Sequence, residues 1–375
     1  MSLLMILRVK GASCQNSFPS YLSLVDLPTT RGDSKRCSCQ GRYNQMRNVI
    51  SSRFSLFFLL GCMLLLAACG QGSTTGASAP TAMPTAPPAF DIYGTPIAFP
   101  KSAPLRIVSL VPGVSDILGS LHLDSKVVAV DYYTVYPADL AKLPKISDAN
   151  GTFNVEKIVG LKPDLVLSQG GLSTKYDAQL TSLGLHVVDL PKINFAQMPG
   201  QVQVVGRLTD TQDTAATVVK QLQQQIDQIK ATVAGTTAPK VDLEVDYSTP
   251  GKPYVFGGTS FGDQLLQDAN GSNIFHANSS NGGYPQVTDE AIIAANPAYI
   301  ILTEDPLYGG QPATVYKRAN WGGIDAVKNH HVYHINTNLM QQPGPRLVDG
   351  LRCLAQTLHP DKFSSALPAD CSASV

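Results

Sequence analysis

Asn154-Val-Glu156-Lys-Ile158-Val-Gly-Leu-Lys-Pro163 and Thr288-Asp-Glu290-Ala-Ile292-Ile-Ala-Ala-Asn-Pro297 are two copies of one pattern. Each opens on a residue that caps helices, places a glutamate two positions later and an isoleucine two beyond that, and ends on a proline. An Asn or Thr cap accepts a backbone N–H, and an acid in the first turn suits the positive end of the helix dipole. The proline stops the helix, and an apolar run follows each copy, at 164–168 and at 299–303. A helix-to-strand unit repeated in both halves of the chain predicts two similar lobes.

The surrounding sequence extends that unit. Short β-rich runs at 106–110, 127–130, 164–168 and 186–190 form one set, and 241–247, 254–256, 299–303 and 332–335 form a second. Each is apolar and bounded by turn residues, with helical stretches between. Such alternation predicts an α/β fold, with parallel sheets covered by helices. Between the sets, 213–234 carries Val218, Leu222, Ile226 and Ile229 at helical spacing, with Asp210 or Thr211 before it and Gly235 after. A helix of about 22 residues would be about 33 Å long, enough to bridge two lobes.

The N-terminal region carries a processing signal. Residues 54–68 are almost wholly apolar, Arg47 and Arg53 precede them, and the run ends Leu66-Ala67-Ala68-Cys69-Gly70. Basic residues, a short apolar core and small residues before a cleavage point describe a secretory signal. The apolar run, roughly 15 residues, falls short of the ~20 that cross a bilayer. The cysteine after the small residues resembles a bacterial lipobox, which implies lipidation of Cys69; a short membrane anchor with a chance cysteine is the alternative. Met46 is the expected start, and 1–45 is expected to be a misassigned extension. Gly, Ser, Thr, Ala and Pro dominate from Gly70 to about Pro100, which predicts a flexible tether.

The expected organisation is an extension at 1–45, a lipoprotein signal at 46–68, a linker at 69–103, an N-terminal lobe at 104–200, a connecting segment with the bridging helix at 201–237, a C-terminal lobe at 238–366 and a tail at 367–375. Eight of the 28 Lys/Arg but only two of the 28 Asp/Glu precede Cys69, leaving 20 against 26. That acidic balance argues against a nucleic-acid partner and against attraction to anionic lipid. Four of the seven cysteines also precede Cys69. Cys353 and Cys371 remain, and outside the cytoplasm they either pair or stay as free thiols.

Taken together, Arg106-Ile-Val-Ser-Leu-Val-Pro112, Asp131-Tyr-Tyr-Thr-Val-Tyr-Pro137, the stretch 154–166, Tyr284-Pro-Gln-Val-Thr-Asp-Glu290, the stretch 321–333 and Pro343-Gly-Pro-Arg346 resemble the iron-siderophore and cobalamin periplasmic-binding family. The resemblance spans about 105–362 and is strongest toward cobalamin-binding members across 284–290. It implies two Rossmann-like lobes joined by one backbone helix, with a ligand cleft between them. It also implies an extracytoplasmic solute-binding lipoprotein of an ABC importer, not an enzyme. The protein would be a monomer with no resident cofactor, anchored by its N-terminal lipid on the outer face of the cytoplasmic membrane. The cargo would be a metal chelate, a corrinoid ahead of a ferric siderophore or haem, and the partner a permease dimer with its ATPase. Glu156 and Glu290 stand where such receptors dock onto permease arginines; acids that merely favour a helix N-terminus are the plainer alternative. Tyr133, Tyr254, Tyr284, Gln169, Asn338 and Gln342 match ligand-contact positions. Asn150 and Gln169 depart from the tryptophans of cobalamin-binding members, and the single tryptophan, Trp321, is expected outside the cleft. Few basic residues fall at cleft positions, which favours a neutral or cationic ligand.

Three other classes compete. Gly258-Thr-Ser260-Phe-Gly262 fits the G-x-S-x-G elbow of hydrolases, with Asp305 and then His330, His331 or His334 following in order. That reading needs one continuous sheet, whereas the repeat and the long helix need two. The three histidines could hold a metal, but along a strand only His330 and His334 share a face. A lipid-anchored adhesion or scaffold protein would leave the paired lobes without a purpose.

Overall fold

The computed structural model describes residues 89–372. The extension, the signal, Cys69, most of the tether and residues 373–375 lie outside the described residues.

The first sheet contains β1 (Ile107–Ser109), β2 (Val127–Val130), β3 (Leu165–Gln169) and β4 (Val187–Leu190). All are parallel, in the order β2-β1-β3-β4. Nearly every strand residue is buried, as expected where helices cover both faces of a sheet and polar alternation has no solvent side to serve. The helices of this lobe include α1 (Pro112–Ser120), α2 (Val155–Gly160) and α3 (Thr174–Ser182). α2 is the first repeat copy, and its cap forms as expected: the Asn154 side chain accepts the Lys157 N–H at 2.8 Å.

The long bridging helix is present and follows directly on a shorter one. α4 (Met198–Thr209) precedes α5 (Gln212–Val233), and Asp210 turns the chain in the left-handed region at φ 57°. The two pack tightly where Gly206 meets Ala215; a Cβ on Gly206 would lie 2.5 Å from that of Ala215. The buried stripe of α5 includes Leu222, Ile226 and Ile229, the positions its periodicity selects.

The second sheet holds β5 (Lys240–Asp246), β6 (Tyr254–Val255), β7 (Ser272–Asn273), β8 (Tyr299–Leu302) and β9 (Val332–His334). Its order is β6-β5-β8-β9, with β7 also pairing β5. β6 corrects the all-parallel expectation: it runs antiparallel to β5. A parallel return needs a crossover of about a dozen residues or more, and the chain between β5 and β6 is too short for one. β7 is polar and too short to leave a pattern. The helices of this lobe include α6 (Phe261–Asp268), α7 (Asp289–Ala295) and α8 (Leu347–Leu358). α7 is the second repeat copy, capped by Thr288, whose hydroxyl accepts the Ala291 N–H at 3.3 Å.

One apolar cluster runs unbroken from Ile107 and Leu167 through Val205 and Ile226 to Leu243, Leu266 and Leu351, so both lobes share a core. A second cluster around Ile292, Ile300 and Trp321 belongs to the second lobe, with Trp321 fully buried. Cys353 on α8 and Cys371 form a disulfide. The tail then braces the loop after β9: Asn336 N–H donates to Cys371 O at 2.7 Å, and its side chain to Asp370 O at 3.0 Å. The tether also ends earlier than its composition implies. Phe90 pairs with Pro96, Ile92 N–H donates to Asp189 O at 2.8 Å, and the Tyr93 hydroxyl donates to Asp177 at 2.8 Å, so this stretch packs on the first lobe. Its five large apolar side chains, Phe90, Ile92, Tyr93, Ile97 and Phe99, interrupt the small-residue run.

Candidate functional site

In open parallel sheets the crevice outside the carboxyl ends of the strands is where ligands bind, because loops diverge there. Two adjoining cavities occupy that place between the lobes. The larger, about 660 Å³, is built by the loops after β1, β2 and β3 from one lobe and after β5, β8 and β9 from the other. Tyr132, Tyr133 and Tyr308 wall it, each roughly half exposed. Its charged lining is acidic: Asp246, Glu304 and Asp305, with no Lys or Arg. The smaller cavity, about 310 Å³, lies beside it and is mostly apolar; Gln169, Leu172, Val245, Gln341 and Pro343 line both.

Tyr133, Gln169, Asn338 and Gln342 do come together in the larger cavity. The Tyr133 hydroxyl donates to Ala149 O at 2.5 Å, and its ring meets Tyr132 edge-on at 5.1 Å. Partial burial, and then Tyr308 facing it from the second lobe, push that hydroxyl above its ordinary range. Buried Asp131 shapes the turn by accepting the Tyr133 N–H at 2.8 Å, and burial pushes its carboxyl up to about 6 against the opposing Thr134 hydroxyl. Gln342 donates to Asn338 at 2.6 Å, so these two amides present one joined polar edge. Gln169 is committed to structure: its amide donates to Pro343 O at 3.0 Å and to Gln201.

Tyr284 lines the smaller cavity instead, against Phe256 and Phe261, and burial pushes its hydroxyl up. Tyr254 lines neither cavity. β6 turns back along β5, Val255 takes the core-facing side, and Tyr254 pairs with Asp246 and Gln286 at the sheet edge. Sequence reasoning missed Tyr132, Tyr308, Leu172, Asp246 and Lys192, and weighed Asp305 only as a triad acid. The signal for these was position: each lies at a strand's carboxyl end or shortly after it.

Behind the acidic wall, Arg318 forks the Glu244 carboxylate at 2.7 and 2.6 Å beneath the Tyr247 ring. Burial, and then Glu244, push the Glu304 carboxyl well above the usual range, and the same causes act on Asp242.

The hydrolase constellation does not assemble. The Ser260 hydroxyl donates to Gly257 O at 2.7 Å and accepts the Asp263 N–H at 3.1 Å, which makes it the cap of α6. Among the described residues no hydrogen bond joins it to Asp305, His330, His331 or His334. His331 stacks on Tyr299 at 4.5 Å, and His334 contacts Glu304 O at 3.0 Å. Among the described residues no group of three or more His, Cys, Asp or Glu is arranged to hold a metal ion.

Glu156 and Glu290 are exposed in the first turns of α2 and α7, one on each lobe. Hydrogen bonds from its own N–H and from Thr288 hold the Glu290 carboxyl below the usual range.

Comparison with known proteins agrees with this architecture. A sequence profile described as periplasmic binding protein matches residues 107–339. The uncharacterized ABC transporter substrate-binding lipoprotein YvrC of Bacillus subtilis (strain 168) is 33% identical over 273 residues, 70% of this chain and 82% of that protein. A vitamin B12-binding protein of Vibrio cholerae serotype O1 is 25% identical over 263 residues, 69% of this chain and 91% of that one. The crystal structure of a possible iron-binding, periplasmic solute-binding protein from Staphylococcus epidermidis superposes with a TM-score of 0.60 at 26% identity, covering 69% of this chain and all of that one.

Proposed function

This chain belongs to the periplasmic binding protein family, the substrate-binding proteins of ABC transporters rather than enzymes, and from that premise we propose that it captures a corrinoid and delivers it to a permease dimer driven by an ATPase. The observation that carries the ligand choice is the larger cavity, where three tyrosines stand around an acidic wall that lacks Lys and Arg. Tyrosine offers a rigid face with a polar tip, suited to a macrocycle edged with amides. Asp246, Asp305 and the Asn338–Gln342 edge accept hydrogen bonds from amide N–H groups, whereas anionic ferric chelates call for arginine. The vitamin B12-binding protein of Vibrio cholerae is among the relatives.

Delivery uses Glu156 and Glu290 as paired docking acids, one per lobe, on a basic permease surface. Cys69 carries the lipid, and the folded body hangs from the outer face of the cytoplasmic membrane as a monomer. No chemistry is done on the cargo.

Calorimetric titration of a soluble form spanning 72–375 tests the ligand, with cyanocobalamin, ferric siderophores and haem side by side. Submicromolar binding of cobalamin alone is expected. Binding of an iron chelate but not cobalamin would retain the receptor and discard the corrinoid.

A further inference from the structure

The smaller cavity differs chemically from the larger one it adjoins. Leu172, Ile193, Phe256, Phe261 and Tyr284 make it apolar and aromatic, and the one charged residue that lines it is basic, Lys192. The charge of the cleft is thus polarised, acidic in the large compartment and positive at the small one. Lys192 follows β4 in the first lobe, and its ammonium donates to Gly282 O of the second lobe at 2.9 Å, 5.1 Å from the Tyr284 ring centroid. Among the described residues it has no carboxylate within ion-pair distance. An ammonium has three donors, so Lys192 can keep the Gly282 contact and still bind an anion.

We propose that the smaller cavity is a subsite for an aromatic appendage of the cargo that carries a phosphodiester, with Lys192 as its counter-charge. This rests on the corrinoid reading above, since a corrinoid with its nucleotide loop has both parts: an amide-edged disc and a benzimidazole on a phosphodiester. The disc fills the acidic, tyrosine-walled compartment, and the base packs against Phe261 and Tyr284. Neither half alone matches both ends of the cleft. A ligand without the anion leaves Lys192 facing an apolar pocket.

The test compares cyanocobalamin with dicyanocobinamide, which has the same ring system but lacks the nucleotide loop, on the wild-type protein and on Lys192→Met and Lys192→Arg. Lys192 is exposed, so neither substitution disturbs the core. The wild type is expected to favour cyanocobalamin by about tenfold or more, the worth of one hydrogen bond to a charged group. Lys192→Met should bring that ratio close to one while leaving cobinamide affinity within about twofold, and Lys192→Arg should keep the ratio. Equal affinities in the wild type, or a ratio that survives Lys192→Met, would overturn the subsite alone. A parallel fall for both ligands in Lys192→Met would reduce Lys192 to a strut between lobes and also overturn it. Failure of the wild type to bind either corrinoid would remove the ligand reading, and the subsite with it.

Discussion

The backbone N–H of Arg346 donates to the carboxylate of Asp116 at 2.8 Å, joining residues 230 positions apart. Asp116 is buried in α1 of the first lobe; Arg346 stands at the foot of α8, after the loop that leaves the second sheet. The fit is close, since a Cβ on Gly344 would lie 2.6 Å from the same carboxylate oxygen. With the Gln169–Pro343 bond beside it, this contact ties the floor of the cleft across both lobes.

Limited closure follows from that tie, from the shared core and from the paired α4 and α5. A rigid link permits less hinge motion than flexible crossovers do. The radius of gyration from small-angle scattering should change little when ligand is added, and a large contraction would contradict the account of the link.

Asp116 also sets a pH dependence. Burial, opposed by the Arg346 N–H, pushes its carboxyl from 3.8 up to about 7. The folded protein then holds a proton that the unfolded chain gives up, so this group's contribution falls as pH rises from about 4 to about 7. Asp131, pushed up to about 6, acts in the same direction. Asn in place of Asp116 keeps an acceptor for Arg346 and removes the titration. Urea midpoints measured from pH 4 to 8 should show Asp116→Asn gaining on the wild type through that interval; parallel curves would rule out the shifted carboxyl.

Glu156→Ala combined with Glu290→Ala should leave ligand affinity unchanged and cut uptake by at least about tenfold, because exposed docking charges act on the encounter with the permease. Ligand titration alongside uptake in cells separates the two effects. A loss of affinity would place these acids in ligand binding instead.

The two repeat copies end alike, on a left-handed residue before the proline: Lys162 at φ 49° and Asn296 at φ 46°. Asparagine tolerates that conformation and lysine does not. Lys162 is exposed, so Lys162→Asn should stabilise the fold by roughly 0.5–1 kcal/mol. An unchanged or lowered thermal midpoint would show the strain to be relieved elsewhere.

What the sequence determined by itself was the set of features fixed by near neighbours. Caps at Asn154 and Thr288, the prolines that follow, the apolar runs of both sheets and the stripe of α5 all act within a few turns or strand lengths, so composition and period reveal them. Tertiary structure decided the cleft. The cavity walls come from loops at six strand ends, and which side chains meet there depends on register and packing between segments far apart in sequence. Tyr254 drops out because β6 turns back along β5, whereas Tyr308, Asp246 and Lys192 enter because their loops open toward the opposite lobe. The pairing of Asp116 with Arg346 is likewise invisible locally, since an aspartate in an apolar helix reads as surface until the chain returns to bury it.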